Sequence, residues 1–251
     1  MNAITTSHWP YPRWIAHRGA GKLAPENTLA AFRLGAQHGY RMFECDAKLS
    51  ADGVPFLLHD ATLERTTNGR GTGGDLPLGA LAQLDAGSWH SRAYAGEAVP
   101  TLEALARFCI ANGYFLNIEI KPTPGQEETT GRVVGETAAR LWQGQAVPPL
   151  FSSFKPDALA GAQATAAHIP RALLLDTLWD GCLDTARRLG CVAIVCNHAL
   201  WDAELVAQVK DMGMRTLSYT VNDDWAAQRL IALGTDGIIT DRVDLFSPAT
   251  P

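Results

Sequence analysis

Apolar residues along this chain follow two rhythms that take turns. Short, nearly continuous apolar runs occur at Trp14-Ile15-Ala16, Met42-Phe43, Phe115 to Ile120, Pro149 to Phe151, Ala172 to Leu175, Val192 to Cys196, Thr216 to Val221 and Gly237 to Ile239. Runs of this length predict buried strands. Between them lie longer amphipathic segments with recognisable ends. Thr101 stands as an N-cap, Leu102, Leu105 and Phe108 share one face, and Gly113 marks the stop; Asp202 to Gly213 and Asp223 to Gly234 repeat the device. Repeated strand-helix units require parallel strands covered by helices. Eight of them predict an α/β fold closed as a (β/α)8 TIM-type barrel rather than an open sheet.

A ninth apolar run, Val54 to His59, follows Met42 to Leu49 after only Ser50-Ala51-Asp52-Gly53, too short a link for a parallel crossover. It is expected to run antiparallel to its predecessor, as a hairpin strand attached to the barrel. Pairing Leu49 with Val54 would set Glu44 opposite His59. The stretch from Thr62 to Pro100 is rich in Gly, Thr, Asn and Asp and is too long for an ordinary loop, so it is expected to lie over the barrel mouth. Residues 1–251 thus read as one barrel domain with a small insertion after the second strand, at about 54–112.

Composition narrows the partners. A formal net charge of -5 gives no bulk reason to bind nucleic acid or an anionic membrane surface, so an anionic substrate must be captured locally. Cys45, Cys109, Cys182, Cys191 and Cys196 are odd in number and free of CxxC spacing, which predicts buried free thiols, neither a disulfide framework nor a zinc site. Met1 to Pro12 lacks the charged and apolar regions of a secretory signal, and no run is long enough to span a membrane. The expectation is a cytoplasmic protein without stable membrane association.

Candidate chemistry sits at the ends of the predicted strands. His17-Arg18-Gly19 closes the first, where a barrel of this kind keeps its active site. Glu44 and Asp46 on the second strand, and Glu119 and Lys121 on the third, are spaced by two, so each pair shares one face. Charges alternating with apolar residues in a buried strand are costly unless paired or metal-bound. Glu44, Asp46 and Glu119 together offer the oxygen ligands that a hard divalent cation takes. Arg18 and Lys121 would face phosphate oxygens, and His17 and His59 would move protons. Glu26 and Asn27 read as the lead-in and cap of the helix that starts near Leu29. Ser152 and Ser153 lack a nucleophile elbow and read as structural or substrate-contacting. Phe154, Tyr219 and Trp89 can wall a substrate or pack as core; His8, His38, His90, His168 and His198 are assigned no chemistry.

His17-Arg18-Gly19, Pro25-Glu26-Asn27-Thr28, Glu44-x-Asp46, His59-Asp60, Glu119-x-Lys121, Ser152-Ser153-Phe154, Tyr219-Thr220-Val221-Asn222 and Thr240-Asp241 occur in an order that resembles the glycerophosphodiester phosphodiesterase family. The resemblance runs from residue 14 to about 242. Lys22-Leu23-Ala24, Ala47-Lys48-Leu49-Ser50 and Phe56-Leu57-Leu58 are similar to the cytosolic bacterial members associated with glycerol 3-phosphate uptake. It implies hydrolysis of glycerophosphodiesters, such as glycerophosphocholine or glycerophosphoethanolamine, to sn-glycerol 3-phosphate and an alcohol. It also implies catalytic His17 and His59, metal ligands Glu44, Asp46 and Glu119, and Arg18, Lys121, Phe154 and Tyr219 at the substrate. One divalent cation is expected, Mg2+ first and Ca2+ or Mn2+ as alternatives. Many members carry Trp where Tyr219 stands. Attack by a neighbouring substrate hydroxyl and attack by water both fit the residues. Two rival readings are a phospholipase, which needs an apolar rim, and a binding protein, which has no use for two proton-transferring histidines.

Overall fold

The computed structural model describes residues 9–248; His8 and most of the Met1 to Pro12 segment lie outside the described residues. Among the described residues nine strands form one sheet: β1 (Trp14–Ala16), β2 (Met42–Leu49), β3 (Pro55–Leu57), β4 (Phe115–Ile120), β5 (Leu150–Ser153), β6 (Arg171–Leu175), β7 (Ala193–Asn197), β8 (Arg215–Tyr219) and β9 (Gly237–Thr240). Parallel pairing runs β1-β9-β8-β7-β6-β5-β4-β2, and β1 returns to pair with β2, closing an eight-stave barrel. The predicted fold is therefore the observed one, with β3 as the extra antiparallel strand on β2.

The helices are α1 (Leu29–Gln37), α2 (Leu78–Leu81), α3 (Leu102–Asn112), α4 (Glu127–Leu141), α5 (Pro156–Thr165), α6 (Cys182–Arg188), α7 (Ala203–Asp211) and α8 (Asp224–Leu233). Thr101, Asp202 and Asp223 each accept a backbone N–H at their helix starts, and Gly113 and Gly234 end α3 and α8 in the left-handed conformation. Strand periodicity then sorts the side chains. Ile15, Met42, Leu150, Leu174, Val195, Leu217 and Ile239 fill the barrel interior, while outward residues such as Phe43, Ile118, Phe151 and Ile194 pack under the helices. Met42 points inward, so Glu44 and Asp46 on the same face of β2 point inward above it.

The hairpin differs from expectation by one residue. Leu49 pairs with Pro55, Lys48 with Phe56 and Ala47 with Leu57. Ser50 N donates to Val54 O, so Ser50 belongs to the ladder and the loop is the three residues Ala51-Asp52-Gly53, with Gly53 left-handed at φ 77°. The slip moves His59 away from the expected position opposite Glu44. Leu58 N instead donates to Asp46 O at 3.1 Å. Beyond β3, Phe56, Leu58, Leu63, Leu81, Ala86 and Val99 form a separate small apolar cluster, whereas α3 packs in the main core. All five cysteines are free and buried. Among the described residues no helix is long and apolar enough to cross a membrane.

Candidate active site

At the C-terminal end of the barrel strands lies a cavity of about 230 Å³. Eight of the nine site residues expected from sequence line it: His17, Arg18, Glu44, His59, Glu119, Lys121, Phe154 and Tyr219. Asp46, the ninth, is fully buried behind them; Arg18 Nε lies 3.2 Å from its Oδ2 and Lys121 Nζ 3.6 Å from its Oδ1. Lys121 also donates to Glu119 Oε1 at 2.8 Å. Phe154 and Tyr219 meet edge to face, ring centres 5.6 Å apart, with the Lys121 ammonium 5.5 Å from the Phe154 ring centre.

Glu44, Asp46 and Glu119 each offer one oxygen within 4.8 Å of the others, and all three are buried. Glu44 Oε1 and Asp46 Oδ1 have no hydrogen-bond partner. Burial, reinforced by Asp46 and Glu119, pushes the Glu44 carboxyl well above the usual range, and burial with Asp46 pushes Glu119 up. Asp46 goes the other way: burial opposes its charge, but Arg18, Lys121, His59 and the Asn27 amide outweigh it. A cluster of crowded carboxylates with free lone pairs is the donor set of a hard divalent cation, which would relieve their repulsion. The three residues therefore fit such an ion.

Both histidines are held from behind by aspartates. His17 Nδ1 lies 2.6 Å from Asp241 Oδ1, and His59 Nδ1 lies 2.7 Å from Asp60 Oδ1. A carboxylate only accepts, so each Nδ1 carries the proton and each Nε2 is left free. His17 Nε2 stands 3.8 Å from Glu44 Oε2. Asn222 fixes Asp241 in turn, donating to Oδ2 at 2.9 Å and accepting Asp241 N–H at 2.9 Å. Burial lowers the His59 pKa below its ordinary value despite Asp46, with Arg18 and Lys121 acting in the same direction as burial.

Two residues expected at the start of α1 do other work. Thr28, not Asn27, caps the helix, through an Ala31 N–H at 3.2 Å. Asn27 adopts a left-handed φ of 59° and grips Asp46 twice, donating from Nδ2 to Oδ2 at 2.8 Å and accepting Asp46 N–H at 3.1 Å. Arg18 is left-handed too, at φ 51°, which lets its backbone N–H reach Glu44 Oε2 at 3.1 Å. Strain of this kind costs about 1–3 kcal/mol per residue and collects at functional sites. Glu26 bonds Arg18 at 2.9 Å. The sequence reading named the segment but not these contacts, because a motif of four residues does not reveal which oxygen faces which strand.

Asn117 was missed; Ser152, read as structural or substrate-contacting, does line the cavity. Both are almost fully buried and leave their side-chain polar atoms without partners. Asn117 stands two residues before Glu119, and that spacing alone places it on the inward face. Asp60, Asp241 and Asn222 stood in the quoted motifs with no role assigned. Trp89 donates to Ala86 O at 2.8 Å and does not line the cavity; nor do His38, His90, His168 and His198. Ser153 points outward and donates to Ile120 O, a structural bond.

Comparison with known proteins agrees with this geometry. Residues 17–245 match the profile of the glycerophosphoryl diester phosphodiesterase family. A glycerophosphodiester phosphodiesterase of Caldanaerobacter subterraneus subsp. tengcongensis is 33% identical over 233 residues, covering 90% of this chain and 93% of the relative. One from Bacillus subtilis is 30% identical over 250 residues, covering 92% and 84%. Among solved structures, a phosphodiesterase of Oleispira antarctica in complex with the product sn-glycerol-3-phosphate superposes with a TM-score of 0.85 at 36% identity, covering 92% of this chain and 93% of the other.

Proposed function

The chain belongs to the glycerophosphoryl diester phosphodiesterase family, and on that premise we propose that it hydrolyses glycerophosphodiesters such as glycerophosphocholine or glycerophosphoethanolamine to sn-glycerol 3-phosphate and the free alcohol. The observation that carries the reading is that two aspartate-held imidazoles, a guanidinium, an ammonium and an acidic cluster share one cavity. The product complex of the Oleispira antarctica relative supports the product class.

Glu44, Asp46 and Glu119 would hold one divalent cation, with Mg2+ the first choice. When bound it supplies Lewis-acid stabilisation of the charged phosphate oxygens. Arg18 and Lys121 orient the phosphodiester through its non-bridging oxygens and balance the charge that builds on them. His17 and His59 work through their Nε2 atoms: one, unprotonated there, accepts the proton of the attacking water or substrate hydroxyl as its oxygen bonds to phosphorus, and the other, entering as the imidazolium, gives its Nε2 proton to the departing alkoxide as the phosphorus–oxygen bond breaks; where a substrate hydroxyl attacks, water then opens the cyclic phosphate. Asp241 and Asp60 keep both rings in the required tautomer. Phe154 and Tyr219 form an aromatic wall beside the phosphate site. Five buried free thiols support a reducing compartment, the cytoplasm.

The test is release of glycerol 3-phosphate from glycerophosphocholine by EDTA-stripped protein, with and without Mg2+, beside His17→Ala and His59→Ala. Activity restored by metal in the parent and absent from both variants is the expected result. Activity that survives both substitutions would remove the proton-transfer pair, and no turnover of any glycerophosphodiester would reject the reading.

A further inference from the structure

Arg65 belongs to the segment that follows β3, and its side chain is 43% exposed, yet its guanidinium is committed on two sides. Nη1 and Nη2 grip the two oxygens of Glu26, both at 2.8 Å; Nε and Nη2 grip Asp60 at 2.6 and 3.0 Å. Each of those carboxylates already holds a group at the cavity. Glu26 Oε1 accepts from Arg18 at 2.9 Å, and Asp60 Oδ1 accepts from His59 at 2.7 Å. One unbroken chain of charge-assisted bonds therefore runs from His59 through Asp60, Arg65 and Glu26 to Arg18.

We infer that Arg65 is a positioning residue, which fixes the relative placement of the His59 imidazole and the Arg18 guanidinium from outside the cavity. The inference rests on the proposed phosphodiesterase reading for its kinetic consequence. Its physical basis is the planar fork of arginine, which can satisfy two carboxylates at once in fixed geometry; a lysine ammonium cannot. Exposed ion pairs of this kind add little to stability. Placement is a different matter, since a shift of about 1 Å at a reacting group can cost about 100-fold in rate. Without Arg65, Glu26 is free to pull Arg18 toward itself, and Asp60 loses the partner that holds it against His59. The signature is thus a large loss of kcat with little loss of fold.

The experiment compares the parent with Arg65→Ala and Arg65→Lys in the Mg2+-loaded enzyme, on glycerophosphocholine. Arg65→Ala is expected to lower kcat about 10–100-fold, the usual effect of removing a partner behind an active-site group, with KM changed less than about 3-fold and the thermal midpoint within about 3 °C. Arg65→Lys recovers only part of the loss. Guanidinium chloride at low, non-denaturing concentration restores Arg65→Ala and leaves the parent unchanged. Nitrogen-15 shifts of the His59 ring supply a readout that needs no turnover: the Nδ1–H tautomer dominates in the parent and loses its dominance in Arg65→Ala. Parent activity with unaltered kcat and His59 shifts in Arg65→Ala would overturn the inference while the phosphodiesterase reading stands. A loss of activity that follows a fallen thermal midpoint and resists guanidinium would overturn it as well. An inactive parent in which the His59 shifts still respond to Arg65→Ala would reject the function and keep the positioning role.

Discussion

Asp241 holds His17 by a hydrogen bond of 2.6 Å between Oδ1 and Nδ1, and the two residues come from opposite ends of the chain, joined by the closure of β9 onto β1. Burial pushes the Asp241 carboxyl up, but the bond and charge of His17, with Asn222 and Arg18, bring it down to about 2. Replacing Asp241 by Asn puts an amide where only an acceptor serves, so His17 is free to take the other tautomer. Asp241→Asn is expected to lower kcat about 10–100-fold.

The same pair makes a prediction about acid stability. A carboxyl depressed from its ordinary value to about 2 contributes stability that is present above that ordinary value and is lost as pH falls through about 2, worth about 2 kcal/mol. Urea unfolding of the parent and Asp241→Asn should therefore differ more at pH 5 than at pH 2. A gap independent of pH would mean that the His17 contact does not stabilise the charged form.

The acidic cluster predicts that the metal-free protein resists its own charge. Glu44 and Glu119 are both raised, so their ionised forms destabilise the stripped fold as pH rises through their shifted values. Glu44→Gln removes one charge and keeps an oxygen for the Arg18 N–H. At pH 8 in EDTA it is expected to raise the thermal midpoint, by about 2–4 °C for each kcal/mol relieved. Added Mg2+ should stabilise the parent by about 3 kcal/mol at a hundredfold excess over its Kd and stabilise Glu44→Gln far less. Calorimetry in two buffers of different ionisation enthalpy should also show protons released on binding.

Much of this site was legible because strand periodicity is a strict rule. Glu44 with Asp46, and Glu119 with Lys121, share a face by spacing alone, and the order of strands in a closed barrel brings β2 beside β4. What could not be read depended on turns and on side-chain reach. The hairpin register slipped because Ser50 joined the ladder, which no propensity at a four-residue link decides. Asn27 left its expected capping place because a left-handed backbone turned its amide toward Asp46. Arg65 lies in a segment without periodicity, where sequence carries no geometric information.

Lys48 is a buried ammonium on the same inward line of β2, bonded to Lys121 O at 2.9 Å. Burial, helped by Lys121 and opposed by Asp46, Glu119 and Asp60, lowers its pKa to about 8. The folded protein then sheds this proton before the unfolded chain does, so stability rises as pH climbs from about 8 toward the ordinary lysine value, by about 3 kcal/mol at most. Buried thiols and tyrosines with raised pKa values pull the other way over the same range, so chemical denaturation in EDTA across pH 7–11 is expected to show the parent gaining stability relative to Lys48→Met as pH rises. Parallel curves would place the proton elsewhere.

Tyr219 separates shape from hydrogen bonding in the aromatic wall. Its hydroxyl donates to Leu175 O at 3.1 Å, away from the acidic cluster, while its ring meets Phe154 edge to face. Tyr219→Phe keeps the ring and removes the hydroxyl's bond to Leu175 O, so it should cost about 1 kcal/mol of stability and leave kcat/KM within about 3-fold. Tyr219→Ala removes the wall and the support of Phe154, a loss of about 1–1.5 kcal/mol of aromatic contact beyond simple burial. It is expected to raise KM about 10-fold with kcat changed less, because ring and phosphodiester meet in ground state and transition state alike. If Tyr219→Phe proves as damaging as Tyr219→Ala, the hydroxyl and not the ring is what the substrate needs, and the proposed role of this residue must move from packing to hydrogen bonding.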